Sequence, residues 1–385
     1  MKNLEIYVHI PFCVRKCGYC DFLSAPADQD TQEKYVQALE REIRGRAEEY
    51  REYQVPTVFI GGGTPSLLGP ERMGRLLDTM GCCYRILPGA EITMEANPCT
   101  VDYDSLVQYR KAGVSRLSLG LQSSWDEELR ALGRIHTWQQ FLDTYGAAAA
   151  AGFAHINVDL MSGLPGQTPG SYETTLKRVA ELEPGPEHIS AYSLILEEGT
   201  AFAERYGAGE LLLPNEETER ELYGLTKHIL REYGYQRYEI SNYAKEGCEC
   251  RHNVGYWTRE NYLGFGIGAA SLVENVRFRN GDSLQAYLEE PLGQREQEHK
   301  LTVAEQMEEF MFLGLRLTAG IREQDFSDTF HCVPEQVYGE AICRHVAQGL
   351  LAWHSSVAGR YLHLTDRGLD LANYVMADFL DPLVV

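Results

Sequence analysis

Basic residues are in short supply. Against 56 Asp and Glu the chain carries only 35 Lys and Arg, a formal net charge of −21. That balance disfavours nonspecific attraction to nucleic acid or anionic lipid, and no basic run offsets it. The acidic residues concentrate on expected helices, such as Glu210 to Glu221, where a solvated face is the ordinary explanation. No apolar stretch approaches the roughly 20 residues of a membrane-spanning helix. Met1 to Ile10 lack the basic, apolar and small-residue order of a secretory leader, so a cytoplasmic location is expected. Short repeats and low-complexity tracts are missing too. With 385 residues, 44% of them hydrophobic, the chain can bury a substantial core, in two or three domains.

What is present is an alternation of strand-like and helix-like segments. Strands are expected over 4–10, 57–60, 91–95, 115–120, 155–161 and 187–194. Helices are expected between them over 31–48, 70–80, 103–112, 138–151 and 171–182. Six βα units in succession indicate a parallel sheet, open or closed. Each strand ends in a chemistry-rich segment: a cysteine loop, Gly61-Gly62-Gly63-Thr64-Pro65-Ser66, Glu95-Ala96-Asn97-Pro98, Gln122-Ser123, Asp159 followed by Gly163-Leu164-Pro165-Gly166, and Tyr192-Ser193. A barrel brings all six ends to one mouth, whereas an open sheet uses chiefly its switch point. The pattern therefore favours a curved, barrel-like sheet. Beyond it come a helix over 215–233, a strand over 236–240, a Gly-rich aromatic stretch over 261–271 and helices over 303–317 and 366–379. The expected units are a barrel core over 1–240, a barrel extension over 241–290 and a smaller, mainly helical domain over 291–385.

Ten cysteines in a chain expected in a reducing compartment argue for metal or redox chemistry where they cluster. Cys82, Cys83, Cys332 and Cys343 are dispersed and read as small buried apolar residues. Cys13, Cys17 and Cys20 lie within eight positions and can wrap one centre only from a loop. Soft thiolates select an iron–sulfur cluster, zinc or Cu(I). Zinc would call for a fourth Cys or His, and the one-residue gap between Cys248 and Cys250 is poor for a knuckle. Three thiolates on a four-iron cluster instead leave one iron open to a ligand.

Cys13-x3-Cys17-x2-Cys20 after a first strand closely resembles the radical S-adenosylmethionine (SAM) signature. That resemblance implies a partial (β/α)6 barrel, a [4Fe–4S] cluster and SAM chelating the open iron. Within it, Gly62, Gly63 and Thr64 look like the glycine motif that receives the SAM ammonium group, and Tyr7 resembles the tyrosine packed beside SAM. Taken singly, Glu95, Gln122, Arg134 and Asp159 read as caps or ion-pair partners. Together with Leu132-Gly133-Arg134-Ile135-His136, Asp159-Leu160-Met161-Ser162-Gly163 and His188-Ile189-Ser190-Ala191-Tyr192, they resemble the oxygen-independent coproporphyrinogen III oxidase family. There these positions touch SAM, and their amides, carboxylates and guanidinium suit ribose hydroxyls and a carboxylate.

Two features depart from the oxidase proper. It has a further cysteine two residues after the third cluster cysteine, where this chain has Phe22, and an extension before a first strand on which this chain almost begins. A third feature is positive: Arg251-His252-Asn253-Val254-Gly255-Tyr256-Trp257 matches the His-Asn-x-x-Tyr-Trp motif of HemW-type heme chaperones. His252 is a chemically reasonable axial heme ligand, with Cys250 as a second candidate, and Tyr256 and Trp257 could stack on a porphyrin. The resemblance implies a chain that binds heme, a [4Fe–4S] cluster and SAM, and passes heme to acceptor proteins, respiratory enzymes among the candidates. It leaves homodimerisation and SAM cleavage open and implies no coproporphyrinogen oxidase activity. The alternatives are a genuine oxidase and a structural zinc protein.

Overall fold

A computed structural model describes residues 1–380; the end of the expected C-terminal domain, 381–385, lies outside the described residues. Six parallel strands form the centre of one sheet in the order in which the chain makes them: β1 (Glu5–Ile10), β2 (Tyr53–Gly62), β3 (Ile86–Ala96), β4 (Arg116–Gln122), β5 (His155–Ser162) and β6 (His188–Ser193). The order never reverses, so there is no switch point, and the C-terminal ends of all six contribute walls to one cavity. That is barrel geometry. β4 is buried along its whole length, as expected of a strand covered on both faces. Its covering helices start on side-chain caps, Asp102 with Ser105, Thr137 with Gln140 and Thr168 with Ser171, which satisfy the free N–H groups of the first turn.

The wall does not close. The free edge of β1 takes a parallel β7 (Tyr262–Phe265), followed by antiparallel strands Ala270–Val273, Val276–Asn280 and Arg295–Lys300. The free edge of β6 takes Asn242–Ala244 and then Gln236–Arg237, both antiparallel. The strand expected over 236–240 is thus split. Glu239 turns the chain, its carboxylate accepting from Ser241 N at 2.8 Å and Asn242 Nδ2 at 2.6 Å.

The second unit starts later than 291, because Arg295–Lys300 pairs into the main sheet. It opens with helix Val303–Gly314, capped by Thr302 and Glu305. A separate core follows, around Met311, Phe326, Leu362 and Phe379. A three-stranded sheet of Ile321–Arg322, Gly359–Leu364 and Leu351–Ser356 lies among its helices. Of the cysteines expected to be buried, Cys82 and Cys343 are exposed and Cys83 and Cys332 half-buried. Cys82 and Cys83 end helix Gly69–Cys83 beyond its buried face of Met73, Leu76, Leu77 and Met80.

Inside the barrel, below the mouth, Glu5 is buried with Oε2 lacking a partner. Burial pushes its carboxyl up to about 9, against a hydrogen bond from Thr57. A folded pKa above the unfolded one means that the folded state holds a proton the unfolded chain gives up. Stability from this group is complete below pH 4.5 and declines as pH rises towards 9, by at most about 1.4 kcal/mol per pH unit. Glu5→Gln keeps the shape and removes the titration. The melting temperature of the variant should fall less than that of the wild type between pH 6 and 9, as scanning calorimetry would show; parallel curves would contradict this account of Glu5.

Candidate functional site

The mouth is a cavity of about 340 Å³, walled by Cys13, Cys17 and Cys20 on one side and by Gly62, Gly63, Thr64, Glu95, Gln122, Arg134 and Asp159 on the others. One expected residue is missing from its walls. Tyr7 lies a layer deeper, its hydroxyl 2.9 Å from His9 Nδ1 and its ring stacked on Phe59. His9 Nε2 donates to the Leu23 carbonyl at 2.8 Å, so Nδ1 is left to accept from Tyr7. Tyr7 thereby props the end of the cysteine loop and does not line the cavity.

The loop is held from two sides. Cys13 N donates to Ala25 O and Ala25 N to Pro11 O, at 3.2 and 2.9 Å. Opposite, Gly63 N donates to Ile10 O at 2.8 Å. A Cβ on Gly63 would come within 2.6 Å of Phe12 O and 2.9 Å of Ile10 O. Gly62 has φ 109° and a Cβ there would strike the His9 ring. Gly63 is thus required by the backbone of the cysteine loop, and Gly62 by its own positive φ and the His9 ring, while both line the cavity. Thr64 Oγ1 is 3.5 Å from Cys13 Sγ and accepts from Asn97 Nδ2 at 2.8 Å.

Electrostatics single out the far wall. Burial, then the nearby Asp159, push Glu95 up to about 8, partly offset by the N–H of Gly62 donating at 3.0 Å. Burial likewise raises Asp159, against hydrogen bonds from Asn157 at 2.7 Å and Ser118 at 3.2 Å. Two half-buried carboxyls on one cavity wall that cannot comfortably ionise together are what a cationic ligand rich in N–H and O–H donors would relieve. Arg134 donates to Asn97 Oδ1 and Gly120 O and lies 3.9 Å from Cys17 Sγ, while its buried Nε has no partner. The donor set fits both groups expected here: three thiols on one loop for a cluster, and paired carboxyls beside a cation for the amino-acid and ribose ends of SAM. Sequence reasoning gave no role to Asn97, which joins Thr64 to Arg134. Its place two residues after Glu95 in the third strand-end segment was the available signal.

The expected heme ligands are elsewhere. His252 is 1% exposed and stacks on Phe59. Nδ1 pairs with Thr57 Oγ1 at 2.8 Å and Nε2 with Tyr256 OH at 3.0 Å, so both ring nitrogens are engaged. Burial holds the imidazole down at about 3, hence neutral. Cys250 is buried with Sγ 3.5 Å from Glu91 Oε1, and burial raises its thiol. Trp257 lies under the Arg316 guanidinium of the second unit at 4.2 Å. As packed, neither His252 nor Cys250 can take an iron: the short helix Arg251–Trp257 that carries the motif seats against the barrel wall and leaves its ligand atoms no open side.

Residues 7–179 match the radical SAM superfamily and residues 301–371 the HemN C-terminal domain. The heme chaperone HemW of Bacillus subtilis (strain 168) is 36% identical over 385 residues, covering 98% of this chain and 99% of that protein. The chain belongs to the HemW family. The HemW of Escherichia coli (strain K12) is 41% identical over 270 residues, 70% of each chain. Among solved structures, the E. coli coproporphyrinogen III oxidase HemN superposes with a TM-score of 0.85 at 24% identity, over 99% of this chain and 90% of that one, which establishes the radical SAM barrel fold. Superfamily membership implies a [4Fe–4S] cluster and SAM for this HemW-family chain.

Two expectations follow. Cys17→Ala should abolish the iron and sulfide content of anaerobically reconstituted protein, and Cys82→Ala should leave it unchanged; a full cluster in the first variant would remove the loop as its site. His252→Ala should lower unfolding free energy by about 1–3 kcal/mol through two unpaired buried partners, measurable by urea denaturation, whether or not heme is present.

Proposed function

We propose that the protein is a heme chaperone: it binds heme, carries a [4Fe–4S] cluster on Cys13, Cys17 and Cys20, binds SAM at the barrel mouth and hands heme to acceptor proteins. The observation that carries this reading is identity of 36% along practically the whole of both chains with a protein named for that role. Likeness to the oxidase is one of fold. Phe22, where the oxidase family has its additional cysteine, lines the cavity and is 59% exposed; an apolar ring there can neither ligate a metal nor move a proton.

Within the mouth, this chain's residues have separable tasks. The three thiolates would hold the cluster and leave one iron open to SAM. Glu95 and Asp159 would accept hydrogen bonds from the ammonium and hydroxyl groups of SAM, and Arg134 would meet its carboxylate. Apolar Val14 and Ile135 at the rim would limit water access. A reduced cluster with bound SAM supplies one-electron chemistry; whether the chaperone uses it is a separate question from heme carriage. No described helix is long and apolar enough to cross a membrane.

The test pairs two assays on one cluster-loaded preparation. Heme titration should show saturable binding, and incubation with reductant, SAM and coproporphyrinogen III should yield no protoporphyrinogen above a protein-free control. Multiple-turnover decarboxylation would overturn the proposal in favour of the oxidase.

A further inference from the structure

A heme iron needs an accessible donor atom, and the structure sorts the eleven histidines by that demand. His9, His136, His188, His252 and His345 are buried. His155, His228 and His299 face the carboxylates of Glu187, Glu232 and Glu305 at 2.5, 3.4 and 2.8 Å. Three remain. His331 caps helix Glu323–Phe330, and His354 and His363 meet on the sheet of the second unit.

In that sheet Leu351–Ser356 and Gly359–Leu364 run antiparallel, with His354 opposite Tyr361 and Ala352 opposite His363. Cross-strand partners and residues two apart share a face, so both imidazoles project to the same side. Their ring centroids are 4.9 Å apart, and the His354 ring stacks on Tyr361 at 5.1 Å with planes 8° apart. His363 Nδ1 lies 3.0 Å from the Leu364 carbonyl, which can only accept; the proton is therefore on Nδ1 and Nε2 keeps its lone pair. No hydrogen bond engages either ring nitrogen of His354, which is exposed.

The geometry points to this outer face as the place where heme iron is held, with His354 as axial ligand and His363 beside it as an alternate. The inference rests on the heme-chaperone reading and supplies the ligand that His252, as packed, cannot. The surroundings suit a porphyrin dicarboxylate. Tyr361 holds the His354 ring by its face and leaves the nitrogen-bearing edge free. Arg322, opposite Tyr361 on the third strand, is paired through Nη1 with Asp325 Oδ1 at 3.2 Å, while its Nε has no partner; the nitrogens it has left would meet a propionate. Ala352 leaves room beside His363. Both imidazoles come from one side of the porphyrin, so only one can bind the iron at a time, and the other axial position stays open to an acceptor's ligand. A site of that kind favours release by ligand exchange over retention.

The test is a hemin titration of cluster-loaded protein followed by Soret absorbance and ferric EPR, where an iron with one imidazole and an open position gives a high-spin signal. The double variant His354→Ala/His363→Ala should weaken binding at least about tenfold and alter the EPR signal. His354→Ala alone should lose less, because His363 can substitute. His331→Ala should match the wild type, and iron and sulfide content should be equal in all. Wild-type affinity and an unchanged signal in the double variant would overturn the assignment, as would loss of heme confined to a folded His252→Ala protein. A wild type that takes up no heme would instead overturn the chaperone reading itself.

Discussion

The close approach of the end of β2 to the cysteine loop governs everything at the mouth. Gly63 N reaches Ile10 O, and the space where a Cβ would stand is filled by the carbonyls of Ile10 and Phe12. A side chain there would push the loop away by the width of a methyl group, and three thiols that must converge on one cluster tolerate little of that. The same strand end brings Gly62 N to Glu95 and Thr64 to Cys13. One backbone contact thus locates the metal ligands, the carboxyl wall and the hydroxyl between them.

How much of this was legible in the sequence depends on the range of the interaction. The cysteine spacing and the strand-end segments are local patterns, and the structure brings Cys13, Glu95, Gln122 and Asp159 into one cavity. Tyr7 was placed too high, because its neighbour His9 intervenes between it and the loop. The burial of His252 is hidden from sequence for a deeper reason. A histidine beside aromatic residues looks the same in sequence whether its ring faces solvent or a threonine on a strand 195 positions away. The face shared by His354 and His363 was equally invisible, since only strand register reveals that residues nine apart lie together.

The His-Asn-x-x-Tyr-Trp helix gains a different meaning from its packing. His252, through Thr57 and Phe59, and Tyr256, against Tyr262, bind it to the barrel strands, while Trp257 under Arg316 and the Arg259–Glu309 pair at 3.1 Å bind the same segment to the second unit. Glu309 also takes Arg277 of the main sheet at 2.6 Å. Substitutions in the motif would therefore disturb the barrel, the second unit and their contact together. Loss of a ligand in such a variant is weak grounds for assigning the ligand's contact to the motif.

The two ends of the open sheet bear on how the protein behaves in a crowded solution. An unfinished wall leaves a row of free N–H and C=O groups on its last strand at each side, which another chain could extend. At one side that strand is Gln236–Arg237, too short to offer a register. At the other it is Arg295–Lys300, whose sequence Arg-Glu-Gln-Glu-His-Lys is almost wholly exposed. A second strand laid against it would have to bring its own side chains up to this charged row and strip water from it. The barrel can thus stay unclosed at both edges without becoming a seed for stacking one molecule on the next.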